Sequence, residues 1–562
     1  MSDHDLSTGA GDPPRTEVQP IEPEARPDVR AAAMHPVLDT PRWWWPTVLV
    51  LGAIVVLGIV AWVVQVADGL GVSGYNNQAF WAVYEADLVA FIGVSYGGAV
   101  VSAILRLTKA TWRAPLTRIA EATALVTLPI GMLFIIPHLG SPWRIWELVW
   151  PPYWNLSSPI LWDFFAVSTY LLATVVFFYL PLVPDLKIAR QWLDPERDDL
   201  RARTCRRLYE VLGGRWDGSA PQRRLLHGSI GLVAIMIIPM AVSVHSVLSF
   251  AFASSSRAGY AETIFPVYFV VAALYTGVAL VVLSVAACRR LYHLEAFISP
   301  RHFVRLGFVM IAFGAVYLYL TFTEYLVDGY SGTTDNAAWV RQVLVGRYWI
   351  PFWFYFVAAG LVPVLVMAFR RTRNARGVLV ASGLVVFAMW VKRLVIVIPP
   401  ATEPLVHPPA LGGVLAGTWG TYHFTWEPIS ITVAASAAIP LLLLVVFRFV
   451  PILPIDEMEE MAMEEDRPRI DRAQSDRAQS DRAQSEGAQI EGAQIEGAQS
   501  EGAQTPGAPA LASQGAASFS AASPSGPLPG VGSGPAQALG AASLARDTPL
   551  GPRDATSQGG PR

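Results

Sequence analysis

Two ionisable residues lie where long apolar segments of the sequence meet short, nearly uncharged loops. His138 follows the apolar run that ends in Ile135-Ile-Pro137, and Asp163 follows Ser158-Pro-Ile-Leu-Trp. An imidazole and a carboxylate at the edge of a membrane are costly unless they are paired or used. A neutral imidazole accepts a proton near neutral pH, and a nearby carboxylate can stabilise the cation that forms. The pair therefore favours deprotonation of a small two-electron, two-proton carrier such as a quinol, with helix capping by both residues as the structural alternative.

Further polar groups lie in the apolar segments at a similar distance from the same membrane face. Tyr96 and His245 are candidates for quinol binding, and a candidate proton route comprises Glu324, Lys392 and Arg393. Each also has a structural interpretation. Tyr96 is compatible with a packed core, and His245 with a hydrogen-bonded helix residue. Arg393 is compatible with a side chain that extends to the interface or pairs with Glu324. We expect nearly all intramembrane ionisable groups to lie toward the outer face.

The elements that position these residues are predicted to be transmembrane helices. Hydrophobic residues make up 53% of the 562 residues, which is high for a soluble globular protein of this size. Glu85 and Asp87 lie at the start of the second apolar segment and are predicted to be interfacial. Ten segments are long enough to span a hydrocarbon core of about 30 Å, namely 46–66, 85–107, 118–137, 159–181, 228–252, 262–287, 303–327, 349–369, 378–399 and 427–450. The sequence thus predicts an all-α polytopic membrane protein.

The distribution of Lys and Arg orients this bundle. Four loops that alternate with nearly uncharged ones hold four, ten, four and four basic residues, in the order 106–118, 184–224, 288–305 and 370–377. Basic residues are retained on the cytoplasmic side. We therefore expect a multi-pass protein of a bacterial inner membrane with both termini in the cytoplasm, His138 and Asp163 near the periplasmic face, and no nucleic-acid partner.

Composition divides the chain into three regions. Residues 1–40 are polar and rich in proline, and 458–562 are dominated by Ala, Gly, Pro, Ser and seven pentapeptide repeats between 471 and 505. Such segments offer no periodic apolar face, so both are predicted to be disordered and cytoplasmic, around a transmembrane quinol-binding domain at 41–457. The two cysteines, Cys205 and Cys288, match no haem c or iron–sulfur motif. We expect no metal or haem bound by this chain, and whether it catalyses a reaction without other subunits stays open.

Several motifs recur in an order that resembles one family. They are Ala120-Glu-Ala-Thr, Pro137-His-Leu-Gly-Ser-Pro-Trp143, Ser158-Pro-Ile-Leu-Trp-Asp163, Ser243-Val-His-Ser-Val-Leu-Ser249, Thr263-Ile-Phe-Pro-Val-Tyr-Phe269, Glu324-Tyr-Leu-Val-Asp-Gly-Tyr-Ser-Gly332, Met389-Trp-Val-Lys-Arg393 and Phe447-Arg-Phe-Val-Pro-Ile-Leu-Pro454. Over residues 40–457 the chain resembles the NrfD-like, polysulfide-reductase-type membrane subunits, and most closely those of bacterial alternative complex III.

The resemblance implies an architecture, a substrate and partners. Spans two to five and six to nine would form two four-helix bundles, flanked by the first and tenth spans. Quinol, either menaquinol or ubiquinol, would be oxidised at the outer side of the first bundle, where His138 and Asp163 match the family's proposed quinol site. Electrons would pass to a periplasmic iron–sulfur subunit and to haem c subunits. A second NrfD-like membrane subunit is a further implied partner, with a terminal oxidase as an additional candidate.

The sequence departs from the family pattern at four places. Ser141 stands where Arg is usual, Tyr96 where His is common, Phe250-Ala251 where an aromatic–Asp pair is expected, and Lys392 where an acidic residue precedes Arg393. The last two changes remove carboxylates from a route proposed for protons, so coupling to proton translocation is left open. Two other functions stay open: a secondary transporter, which predicts binding groups near the bilayer midplane, and a haem-b carrier using His138 and His245.

Overall fold

The computed structural model describes residues 28–193, 200–331, 334–404 and 419–464, together with residues 467, 472, 474–479, 482 and 483. In these residues the regular structure is helical, without strands. Ten helices are long and apolar enough to cross a membrane, which confirms the predicted fold class. We number them spans 1 to 10: Trp44–Asp68, Val83–Leu107, Ala114–His138, Pro159–Tyr179, Ala220–Ala253, Phe265–Leu291, Pro300–Tyr330, Trp349–Ala368, Ala375–Ala401 and Trp426–Val446. All lie in one compact unit, residues 1–475, whereas 476–562 form a second unit.

Local chemistry explains where the functionally interesting helices start and stop. Span 3 is continuous to Leu133 and ends with the short turn Ile135–His138. Pro137 in that turn has no backbone N–H, which weakens the helix there. Gly140 follows with a φ of 63°, a left-handed conformation that glycine adopts without strain. His138 is therefore the last helical residue before the outer loop.

Helix packing brings spans from different parts of the chain together. Spans 2, 3, 4 and 5 each contact the next, and span 5 returns to span 2; spans 6, 7, 8 and 9 do the same. Spans 2 and 6 pack at Gly97 and Gly277, where a side chain on either residue would collide with the backbone of the other. Span 10 packs against spans 1 and 3. Gly97 belongs to the stretch Ser95-Tyr-Gly-Gly-Ala99 of span 2, whose small residues thus permit close helix packing.

Both ends of the transmembrane domain continue into folded helices on the inner side. Asp28 caps the helix Val29–Leu38 by accepting hydrogen bonds from Arg30 N at 2.9 Å and Ala31 N at 3.1 Å. Residues 455–464 form another helix. The predicted boundaries at residues 40 and 458 therefore fall inside or beyond folded segments. Residues 1–27 and most of the pentapeptide repeats lie outside the described residues.

Candidate functional site

His138 forms an ion-pair contact with buried Glu85 where the end of span 3 meets the start of span 2. The contact joins His138 Nδ1 to Glu85 Oε1. The other carboxylate oxygen of Glu85 accepts hydrogen bonds from the Tyr75 hydroxyl at 2.9 Å and from Ala82 N at 2.8 Å. Glu85 is only 7% exposed. It is thus a fixed carboxylate that orients the imidazole and caps span 2.

The second nitrogen of the His138 ring has no hydrogen-bond partner among the described residues. Across the described part of the chain, His138 Nε2 forms no hydrogen bond, and the side chain is 32% exposed. When a carboxylate accepts the proton on Nδ1, the lone pair lies on Nε2. His138 Nε2 is therefore a candidate proton acceptor.

A polar network holds the end of span 3 in place. Gln65 Nε2 donates to the carbonyl oxygen of Pro137 at 2.7 Å, and Ser73 Oγ donates to Gln65 Oε1 at 2.8 Å. Burial, with a smaller contribution from the charge of Glu85, raises the pKa of Tyr75 well above its ordinary value. Tyr75 therefore stays protonated near neutral pH and keeps donating to Glu85.

Asp163 is not the partner of His138. Its Oδ1 is buried and has no hydrogen-bond partner among the residues described, and the pair expected from the sequence is not formed. The reason for the difference is that Glu85 reaches the outer end of span 3 from the adjacent span 2, whose start the sequence had placed at the interface.

Tyr96, Tyr170 and His245 form an aromatic cluster inside spans 2, 4 and 5. The Tyr96 ring packs edge-on against His245 at 4.5 Å and against Tyr170 at 4.7 Å between ring centroids. His245 is fully buried, and neither ring nitrogen has a hydrogen-bond partner in the described segments. The structure thus brings Tyr96 and His245 together as the sequence grouped them, and places His138 in a separate cluster.

One of the two adjacent charged residues of span 9 pairs with Glu324. Lys392, not Arg393, is the partner of Glu324, with 3.2 Å between Lys392 Nζ and Glu324 Oε2. Lys392 also donates to the Tyr325 hydroxyl at 3.2 Å. Its ammonium lies about 5 Å from the ring centroids of three tyrosines, namely Tyr268, Tyr325 and Tyr355. Lys392 is therefore a desolvated cation held by one carboxylate and an aromatic enclosure.

Arg393 lies beside a cavity that opens to the membrane. The side chain is almost completely buried, and its Nη1 atom has no hydrogen-bond partner within the described residues. The cavity has a volume of about 400 Å³ between spans 2, 6, 9 and 10. Two lining residues hold fully buried Asp87, which accepts hydrogen bonds from Trp390 Nε1 at 2.6 Å and Thr432 Oγ1 at 2.5 Å. Asp87 therefore joins three spans.

Two buried ion pairs near the ends of spans 2 and 3 that lie away from His138 had no counterpart among the sequence-based expectations. Arg106 Nη2 lies 3.0 Å from Glu121 Oε1, and Arg118 Nη2 lies 2.6 Å from Asp185 Oδ2. The expectation that nearly all buried ionisable groups lie toward the outer face was therefore wrong. The sequence did carry a signal for them. Arg118 and Glu121 are two charged residues one turn apart at the start of span 3, and the adjacent basic loop contains Arg106, the partner of Glu121.

These features define a class of protein. The described residues form a helical membrane protein of ten spans, with buried ion pairs and a carboxylate-oriented histidine at one membrane face. The family model described as "Polysulphide reductase, NrfD" matches residues 71–403. The chain therefore belongs to the NrfD family, as the motifs suggested, and is a membrane subunit of the NrfD type.

Three curated relatives extend this result. The chain is 28% identical over 445 residues to a Halobacterium salinarum protein named as a candidate membrane subunit of dimethyl sulfoxide reductase, covering 76% of this chain and 95% of the relative. It is 24% identical over 372 residues to a selenate reductase subunit of Mesobacillus selenatarsenatis, covering 63% and 82%. An Hdr-like menaquinol oxidoreductase integral membrane subunit of Archaeoglobus fulgidus matches 127 residues at 28% identity, covering 23% and 31%.

Proposed function

We propose that this chain is the quinol-binding membrane subunit of a respiratory quinol oxidoreductase of the alternative complex III type. The observation that carries the proposal is His138 held by Glu85 with Nε2 left for a ligand. Membership of the NrfD family supports it, as do the names of the relatives, which are subunits of reductases and of a menaquinol oxidoreductase.

The chemistry we propose is general-base assistance of quinol oxidation. Oxidation of a quinol releases two electrons and two protons. His138 Nε2 accepts one proton from a quinol hydroxyl, and the Glu85 carboxylate stabilises the imidazolium that forms. The partly exposed imidazole releases that proton to water and then accepts the second one. The electrons leave to an acceptor on a partner subunit. Menaquinol and ubiquinol both fit this chemistry.

We assign supporting roles to the other candidates. Asp163, Tyr96 and His245 would contact the quinol at a second position, separate from His138, because each offers a buried polar atom without a partner in the described residues. Glu324, Lys392 and Arg393 would form a proton route in spans 7 and 9. Lys392 and Glu324 are both almost completely buried, so neither can change charge without affecting the other.

The proposed setting is a bacterial inner membrane, with the His138 face in the periplasm and both termini in the cytoplasm. The proposed partners are a periplasmic iron–sulfur subunit, haem c subunits and a second NrfD-like subunit, with a terminal oxidase as a further one. We also propose that residues 41–457 form the quinol-binding domain and that the repeat region is a cytoplasmic tail. The basic inner loops support this orientation.

The test is quinol oxidation by the purified complex. His138→Ala should lower kcat by about 10²-fold, the usual scale for a lost general base, with the complex still assembled. The matched control is His227→Ala, because His227 is half-exposed at the other end of the bundle. Wild-type turnover by an assembled His138→Ala complex would refute the proposal.

A further inference from the structure

An apolar groove leads from the membrane to the residue that precedes His138. It has a volume of about 310 Å³ and lies between spans 1, 3 and 10. Its lining includes Val55, Ile59, Trp62, Phe134, Pro137 and Ala438. The volume is at the lower end of the range of small-molecule sites, which is about 300–1,000 Å³. The groove thus adjoins the polar cluster of His138 at its outer end and lipid along its side.

Trp62 marks the groove as a site for an amphiphile. Its indole Nε1 is buried and has no hydrogen-bond partner in the part of the chain that the structure describes. A buried donor without a partner costs about 1–3 kcal/mol, so an acceptor oxygen there would be favourable. Trp62 is three residues before Gln65 on span 1, and Gln65 Nε2 donates a hydrogen bond to the Pro137 carbonyl. At a rise of about 1.5 Å per residue, Trp62 and Gln65 are about 4.5 Å apart along the axis of span 1.

We propose that this groove binds the isoprenoid tail of the quinol, with a head-group oxygen accepting a hydrogen bond from Trp62 Nε1. This inference rests on the proposed function and adds the path by which the substrate enters. The ring then lies between Trp62 and His138, where one oxygen meets the indole donor and a hydroxyl on the other side meets Nε2. The tail follows the apolar wall inward, out of water.

The opposite face of span 10 offers the competing path. Residues of that face, including Val433 and Ser436, line the cavity beside Arg393. That cavity is more polar, because it includes Thr276, Arg393 and Thr432. A hydrocarbon tail cannot form hydrogen bonds or ion pairs with these groups. Two of its lining residues, Trp390 and Thr432, also donate hydrogen bonds to buried Asp87. The groove at Trp62 is therefore the better fit for a tail.

The test compares two substitutions on the two faces of span 10. Ala438→Phe fills the groove, whereas Val433→Phe fills the other cavity. The substrates are a long-tailed menaquinol and menadiol, which has the same ring without a tail. Ala438→Phe should raise KM for menaquinol about tenfold, the effect of withdrawing about two methylene groups from an apolar site, and leave KM for menadiol unchanged. Val433→Phe should change neither.

Trp62→Phe tests the head-group contact separately. It keeps an aromatic ring and removes the donor, so KM should rise about fivefold for both substrates. Binding of the tail in the groove would be refuted if Ala438→Phe raised KM equally for menaquinol and menadiol. It would also be refuted if Val433→Phe raised KM for menaquinol only. If His138→Ala loses turnover but Ala438→Phe leaves KM for menaquinol unchanged, the proposed function stands and binding of the tail in the groove is refuted. If Ala438→Phe prevents assembly, Ala435→Leu fills the same groove with a smaller side chain.

Discussion

At the scale of single residues, the candidate site depends on which carboxylate reaches His138. Glu85 and Asp163 both start helices at the outer face, but only Glu85 contacts the imidazole. Glu85 is fixed by Tyr75 and Ala82, whereas Asp163 Oδ1 has no hydrogen-bond partner among the described residues. The two carboxylates therefore have different roles in the proposed reaction: Glu85 orients the base, and Asp163 is available to the quinol.

Substitution of each carboxylate by its amide separates these roles. Glu85→Gln should lower kcat for quinol oxidation by about 10²-fold, because an amide stabilises the imidazolium poorly. Asp163→Asn should mainly raise KM, by about tenfold, the scale of one hydrogen bond between a charged and a neutral group. Steady-state kinetics of the assembled complexes measure both. An Asp163→Asn variant with lower kcat and an active Glu85→Gln variant would reverse the assignment.

Glu403, in the outer loop after span 9, predicts a pH dependence of stability. Burial, with a smaller effect of Asp335, raises its pKa from an ordinary value of 4.5 to about 7. The native state then retains a proton that the unfolded state releases, so the free energy of unfolding should fall as pH rises from about 4.5 to 7. Glu403→Gln should flatten this part of a Tm–pH profile. An unchanged profile would show that Glu403 is ionised in the folded protein.

At the scale of helices, hydropathy predicted all ten spans but not their contacts. Length and apolar content suffice to locate a span. Which faces meet depends on rotation, and adjacent residues such as Lys392 and Arg393 point about 100° apart. The sequence therefore placed both at the right level without indicating that Lys392 is the one that reaches Glu324. The role of Glu85 could not be predicted from the sequence for the same reason, since its contact with His138 requires the packing of spans 2 and 3.

Span 8 contains a local irregularity with a clear physical cause. Its middle turn, Phe356–Leu361, is π-helical. Pro363 has no N–H to offer the carbonyl of Ala359 four residues earlier. The Tyr275 hydroxyl of span 6 donates to that carbonyl at 2.5 Å instead. A side chain from one span thus satisfies a backbone group that a proline leaves free in another.

Removing the Tyr275 hydroxyl should therefore destabilise the helix bundle. Tyr275→Phe leaves the Ala359 carbonyl buried without a partner, at a cost of about 1–3 kcal/mol. Thermal unfolding of the purified complex should show a lower Tm. Tyr330→Phe is the matched control, because Tyr330 is 90% exposed. Equal Tm values for both variants would mean that another donor replaces the hydroxyl.

At the scale of the whole molecule, charge sets the orientation proposed here. The basic loops and the helix at 455–464 lie at one end of the spans, and His138 lies at the other. Reporter fusions at residues 145 and 415 should report the periplasm, and those at 200 and 470 the cytoplasm. Positions 415 and 470 fall outside the described residues, but the flanking spans fix the expectation. A cytoplasmic signal at 145 would invert the proposed face of quinol oxidation.

The helix at 455–464 predicts that two truncations of the C-terminal region will differ. Glu457 pairs with Arg113 and lies 3.1 Å from Arg106, Glu459 lies 2.6 Å from Arg30, and Asp456 N donates to buried Asp185 at 2.9 Å. A chain ending at residue 464 keeps these contacts and should assemble and oxidise quinol at close to the wild-type rate.

A chain ending at residue 454 loses all of these contacts. It should show a lower Tm and less assembled complex, because several partly buried arginines on the inner side lose carboxylate partners. Size-exclusion chromatography and thermal unfolding of both truncations measure the difference, and Glu457→Gln in the full chain isolates one carboxylate. If neither truncation lowers the Tm or the amount of assembled complex, the helix is dispensable. If both lower them equally, the repeats beyond residue 464 are needed for assembly.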